Sequence, residues 1–142
     1  MRIALNRVHR CAPLLLLAAV MAPDLEAQVG ERVPKQVDLI VEENTLVASN
    51  IRASTFDELK LNARERVDRS RVGDGVIVVV TNQRIIAYGV ASGWRSVPRT
   101  AGERFERVEA EDYAGLVVSN RRYLNFNGES GVWGERDRRV GQ

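Results

Sequence analysis

Cysteine and histidine are nearly missing from this chain: its 142 residues include one of each, Cys11 and His9. Both lie ahead of an apolar stretch, Ala12 to Ala22, that follows Arg2, Arg7 and Arg10. A bilayer span needs about 20 apolar residues, so this shorter pattern reads as a secretory signal occupying residues 1–27. The small residue in Leu25-Glu26-Ala27 places cleavage before Gln28. Cys11 stands before the apolar core rather than just behind it, which argues against a lipid anchor there. The mature chain, Gln28 to Gln142, then has neither cysteine nor histidine, and it should be periplasmic or secreted.

These absences exclude a good deal. Disulfides cannot form, although an exported protein would meet conditions that allow them. No thiolate nucleophile, imidazole base, or His/Cys zinc or copper site can be assembled from one chain. Oxygen ligands could still hold calcium or magnesium, but no D-x-D-x-D-G loop is present. No metal and no cofactor are expected, and the chain reads as a non-enzyme. Two carboxylates could hydrolyse a glycoside without histidine, yet no pair stands out for that role.

Charge imbalance is also lacking. Lysine plus arginine number 21 against 19 acidic residues; the signal carries three Arg with Asp24 and Glu26, leaving 18 against 17. Such a balance calls for no nucleic acid and no anionic membrane. Only Lys35 and Lys60 are lysine, a bias that a GC-rich coding sequence produces by itself. No integral membrane segment is expected after cleavage. About 115 residues make one small domain with one modest core.

What the chain has instead is repetition. Asn50, Asn82 and Asn120 can be aligned so that a valine stands three residues earlier (Val47, Val79, Val117) and a Ser or Thr one earlier (Ser49, Thr81, Ser119). An arginine follows two residues later (Arg52, Arg84, Arg122) and an aromatic six later (Phe56, Tyr88, Phe126). A Glu-Arg pair recurs as well, at Glu31, Glu65, Glu103 and Glu135. The repeats span about 30–62, 63–100 and 101–133.

Each unit reads as a four-stranded β meander. Val76 to Val80 and Leu116 to Val118 are apolar without alternation, as in strands buried on both faces. The Ser/Thr-Asn pair is turn chemistry, because asparagine tolerates left-handed backbone and bonds its own main chain. A second strand, Arg84 to Tyr88 or Arg122 to Phe126, is rich in β-branched and aromatic residues. A Ser-Gly turn at Ser92-Gly93 or Ser130-Gly131 leads to a third strand at Trp94 or Val132-Trp133. The Glu-Arg segment supplies the fourth, since Val37, Leu39 and Val41 fall at period-2 spacing. Helix competes there: residues 101–110 are dense in helix formers, and Thr55 with Glu58 has capping-box spacing before Leu59 to Val67. Strand is preferred, because Pro34 and the period-2 pattern mark the first copy and copies should share a structure.

Ala87 to Trp94 (AYGVASGW) and Asn125 to Trp133 (NFNGESGVW) resemble the A-[LY]-D-x-x-[ST]-G-x-x-W phrase of quinoprotein-type β-propeller repeats. The resemblance covers two of the three units and implies architecture only. Blades of this kind occur in quinone-dependent dehydrogenases and in outer-membrane assembly scaffolds, and no catalytic position carries over. Three blades fall short of the four to eight that usually close a ring, so two or more chains would have to complete one toroid. Arg121 to Leu124, with Gly128 and Trp133, is similar to the N-x-x-Y-L…G…W phrase of β-trefoils. The expected fold is all-β, propeller-blade-like, with a β-trefoil or other small β-barrel, or a mixed α+β fold, as alternatives.

Residues common to all copies read as scaffold. Arg52, Arg84 and Arg122 should pair with the recurrent glutamates, as exposed ion pairs worth about 0–1 kcal/mol each. Phe56, Tyr88 and Phe126 should be core. Residues that differ between copies are the candidate ligand- or partner-binding positions: Trp94, Trp133 and Tyr123, whose flat rings suit a protein partner or a glycan. Against this stands the plainer expectation that the tryptophans pack on a neighbouring sheet. Tyr113 with Glu109, Glu111 and Asp112 reads as a solvated turn rather than a calcium site. The favoured function is protein interaction or assembly, with a protein partner or homo-oligomer; a carbohydrate-binding module is the alternative.

Overall fold

The computed structural model describes residues 33–139. The signal, its cleavage position, His9, Cys11 and the first Glu-Arg at Glu31 lie outside the described residues. Within them the chain forms eleven strands and no helix. Sheet 1 consists of β1 (Val37–Glu42), β2 (Thr45–Asn50) and β3 (Thr55–Lys60). Sheet 2 holds β4 (Val67–Val72), β5 (Val76–Thr81), β6 (Arg84–Gly89) and β7 (Gly93–Pro98). Sheet 3 holds β8 (Phe105–Glu111), β9 (Ala114–Ser119), β10 (Arg122–Asn127) and β11 (Val132–Asp137). All pairings are antiparallel between consecutive strands, so each sheet is a meander.

The all-β expectation therefore holds, and the segments after Glu65 and Glu103 are strands. Thr55 and Glu58, spaced as a helix cap, both lie in β3. No ladder joins one sheet to another, so the chain does not close into the barrel that a trefoil or small-barrel fold requires. Sheet 1 departs from the four-strand expectation: the position that β4 and β8 hold in the other sheets has no strand among the described residues.

Backbone hydrogen bonds between strand ends reveal the true period. Ile51 N donates to Gln36 O, Val90 N to Gly75 O, and Gly128 N to Tyr113 O. Leu61 N donates to Asn44 O, Arg99 N to Gln83 O, and Arg138 N to Arg121 O. These matched bonds make β1, β5 and β9 counterparts, as they do β2, β6 and β10, and likewise β3, β7 and β11. The first strands of these sets begin at residues 37, 76 and 114, spacings of 39 and 38.

The alignment on Asn50 thus needs correcting. Asn82 sits between β5 and β6 and Asn120 between β9 and β10, where their side-chain oxygens accept from Arg66 N and Arg104 N. Asn50 instead ends β2, accepts from Ala53 N, and matches Gly89 and Asn127. Two different corners use the same turn chemistry, which is why the letters coincide.

Sheet 2 lies between the other two. One face, called leading here, carries Ile77, Val79, Ile86 and Tyr88 and packs with Val37, Leu46 and Ala48 of sheet 1. The opposite, trailing face carries Val76, Val78, Val80, Ile85 and Ala87 and packs with Val108, Val117, Leu124 and Phe126 of sheet 3. Two covered faces explain the unbroken apolar run of β5. A Cβ on Gly89 would overlap the Gly128 carbonyl oxygen, so the backbones of sheets 2 and 3 meet directly at that corner.

Candidate functional site

The recurrent polar residues build clamps between sheets. Glu103, on the loop entering β8, is 1% exposed. Its carboxylate accepts from Ser119 Oγ at 2.8 Å, Arg122 Nε at 2.9 Å, Arg122 Nη2 at 3.1 Å and Thr100 N at 2.9 Å. Arg122 Nη2 also donates to Pro98 O at 2.6 Å, at the end of β7, and Nη1 donates to Glu135 at 3.0 Å. In sheet 2 the same arrangement recurs: Glu65 accepts from Thr81, Arg84 and Asn62 N, while Arg84 Nη2 reaches Lys60 O at 3.2 Å. Each arginine thereby ties its own sheet to the last strand of the sheet before.

The pairing expected for Arg84 and Arg122 is present, but these are not exposed pairs, since both glutamate side chains are fully shielded from water. Burial alone would raise the Glu103 carboxyl; hydrogen bonds from Arg122, Thr100 and Ser119 outweigh it and hold the pKa below the ordinary glutamate value. Glu65 is held low in the same way by Arg84, Asn62 and Thr81. Arg52 lies exposed in the turn after β2, and Thr45 occupies the clamp arginine's place in sheet 1.

An aromatic pair marks the leading face of sheets 2 and 3. Tyr88 and Trp94 lie opposite one another on β6 and β7, ring centroids 5.0 Å apart, edge to face. Trp94 Nε1 donates to Asp57 O of sheet 1 at 3.0 Å. The Tyr88 hydroxyl donates to the Asp57 carboxylate through a short hydrogen bond and accepts from Asn50 Nδ2 at 2.9 Å. Burial, with the Asp57 carboxylate behind it, pushes the Tyr88 phenol up to about 12. In sheet 3 the pair is Phe126 and Trp133, again 5.0 Å apart. Trp133 Nε1 is buried and has no partner among the described residues.

Of the residues singled out from sequence, Trp94 and Trp133 are half-buried and pack toward the preceding sheet. Tyr123, 41% exposed, stands on the trailing face of sheet 3, opposite to the face that carries Trp133. The fold therefore does not gather the three into one site. Glu109, Glu111 and Asp112 are exposed, and Glu109 pairs with Arg107 at 3.4 Å.

Phe56 is the largest departure from expectation. Placed in the core by the Asn50 alignment, it is 67% exposed. Opposite Ser49 on the outer, leading face of sheet 1, it matches Trp94 and Trp133 in register. Ile40, 46% exposed, shares that face with Val47 and Glu58. At the far end of the stack, the trailing face of sheet 3 presents Tyr123 over a shallow depression lined also by Leu116, Asn125, Gly134 and Arg136. Counting back 38 residues from Trp94 finds Phe56, but only once the strand period is known.

Stacked meander sheets held by buried ion-pair clamps, with an outer face at each end, define a β-repeat stack whose visible equipment is for packing. Among the described residues no group of three or more His, Cys, Asp or Glu side chains could hold a metal ion. No helix among them is long and apolar enough to cross a membrane. Neither the models of known protein families nor the curated proteins match this chain.

Proposed function

We propose that this chain is an exported, non-enzymatic β-repeat module, periplasmic or secreted, that mediates protein interaction or assembly in the cell envelope through the two end faces of its stack. The carrying observation is that the aromatic position which packs each later sheet onto its predecessor is filled in sheet 1 by Phe56, 67% exposed. A large apolar ring on an outer face is more often an interaction site than an accident when a second exposed apolar residue, Ile40, shares that face. Propeller blades of the quinoprotein type, which the AYGVASGW and NFNGESGVW phrases resemble, serve as assembly scaffolds in some envelope proteins, and this supports the same reading. The side chains also favour it: the hydroxyl–carboxylate contacts of Ser119 with Glu103 and Thr81 with Glu65 are buried parts of the arginine clamps.

The test is site-specific photo-cross-linking in the exporting cell. A benzophenone side chain at position 56 or 123 should give discrete protein adducts, and the same group at exposed Arg66 should not. Absence of adducts from both end faces would refute the reading, and so would recovery of the protein only from the cytoplasm.

A further inference from the structure

We infer that the partner at these faces is a second copy of the chain: the leading face of sheet 1 docks on the trailing face of sheet 3 of another molecule. This rests on the interaction reading above and names its partner. Among the described residues every contact between sheets is leading face on trailing face, and it occurs twice, sheet 2 on sheet 1 and sheet 3 on sheet 2. The two faces left over are one of each kind. A second copy is thus the one partner guaranteed to present the face that sheet 1 is shaped to follow.

The parts match in detail. Trp94 lies over Asp57 of the preceding sheet and donates to its carbonyl. The residue of sheet 3 in the Asp57 position is Gly134, where the Asn125 side chain folds into the place a Cβ would take, and a shallow depression lined also by Leu116, Tyr123 and Arg136 lies there. Phe56 of a second copy, placed as Trp94 is placed within the chain, would seat its ring in that depression with Arg136 alongside, a cation–π geometry.

Charge agrees at one end of the faces. Arg107, Val118, Tyr123 and Arg136 form one transverse row on sheet 3. On sheet 1, with Phe56 seated over Gly134, Glu58 with Val47 and Ile40 occupies the facing row and Glu42 with Lys60 the next one. Over the whole faces, sheet 1 presents Asp38, Glu42 and Glu58 with Lys60, while sheet 3 presents both arginines with Glu109 and Glu111. The guanidinium groups are gathered where the second copy's glutamates arrive. Two chains supply six sheets, within the roughly four to eight of closed rings. A contact between two different faces either closes into such a ring or propagates.

Sedimentation velocity on the protein purified after export tests this, with Phe56→Glu and Tyr123→Glu as variants whose folding is verified by their urea midpoints. Wild type should associate as its concentration rises. Each variant alone should sediment as a monomer, since one face of every contact is spoiled. An equimolar mixture of the two should recover a dimer, because the intact sheet 1 face of the Tyr123→Glu chain meets the intact sheet 3 face of the Phe56→Glu chain. Glu58→Arg should weaken association and Glu58→Arg with Arg136→Glu should restore it. A wild type that stays monomeric overturns the inference, as does a mixture that stays monomeric while wild type associates, which would mean like faces meet. Such a monomer leaves the wider reading to the cross-linking test, where a different protein captured at position 56 would support that reading without this one.

Discussion

Removing the clamp guanidinium of sheet 3 by Arg122→Leu should cost far more than a surface ion pair does. The change deletes two hydrogen bonds to Glu103, one to Pro98 O and one to Glu135, leaving a carboxylate that is 1% exposed with only Ser119 and Thr100 N as donors. Breaking a buried pair from one side costs about 3–5 kcal/mol, because the surviving charge stays out of water without compensation. Against a total stability of about 5–15 kcal/mol this is a large fraction. With a urea slope of about 2 kcal/mol/M, the midpoint should fall by roughly 1.5–2.5 M. The assay is urea unfolding followed by the fluorescence of Trp94 and Trp133, which report on both sheet contacts. Arg122→Leu with Glu103→Leu should recover much of the loss, since no lone charge then remains buried. A single-variant cost below about 1 kcal/mol, the range of exposed pairs, would refute the buried-clamp reasoning, and so would additive losses in the double variant.

Three further outcomes follow from the same geometry. Glu65 and Glu103 titrate below the ordinary glutamate value of 4.5 in the folded chain, so the stability they confer is present above that value and is lost as pH falls through their lowered folded values. Urea midpoints measured from neutral pH downward should decline over that range, and Glu65→Gln with Glu103→Gln should flatten the decline. The Tyr88 phenol shifts the other way, from 10 to about 12, so stability present below pH 10 should drain away between pH 10 and about 12, and Tyr88→Phe should abolish that alkaline slope. Gly89→Ala should destabilise by about 3 kcal/mol or more, since its methyl would strike the backbone carbonyl of Gly128, which cannot rotate aside; a thermal midpoint unchanged from wild type would contradict the close approach of sheets 2 and 3.

Much of the fold could be read from single residues. The Val76 to Val80 run is β5 and is buried on both faces because sheets flank it on each side. Ser-Gly turns led to the right places, Gly93 and Gly131, where φ values of 73° and 71° suit glycine. Thr81, Ser119, Arg84 and Arg122 recurred because the clamp needs a hydroxyl, a guanidinium and a glutamate at fixed corners. The first copy misled because it obeys the backbone pattern but not the clamp: Thr45 replaces the arginine, and the Ser49-Asn50 pair belongs to the next corner along. Once the register slipped, Phe56 went into the core, when an outer face was its place. Exposure of an aromatic depends on whether a neighbouring sheet exists, and no local pattern carries that information. Trp94 and Trp133 stood out for differing between copies; their surroundings show them seated between sheets, as the plainer expectation had it.

Because sheet 2 takes part in both apolar cores, the molecule behaves energetically like a short row of dominoes rather than a ball. Each member is held by adjacent members, so loosening should start at an end and run inward. Sheet 1, with three strands and Thr45 where a clamp arginine would be, has the fewest ties, while sheet 2 shares both apolar clusters and should be the last to exchange its amide protons.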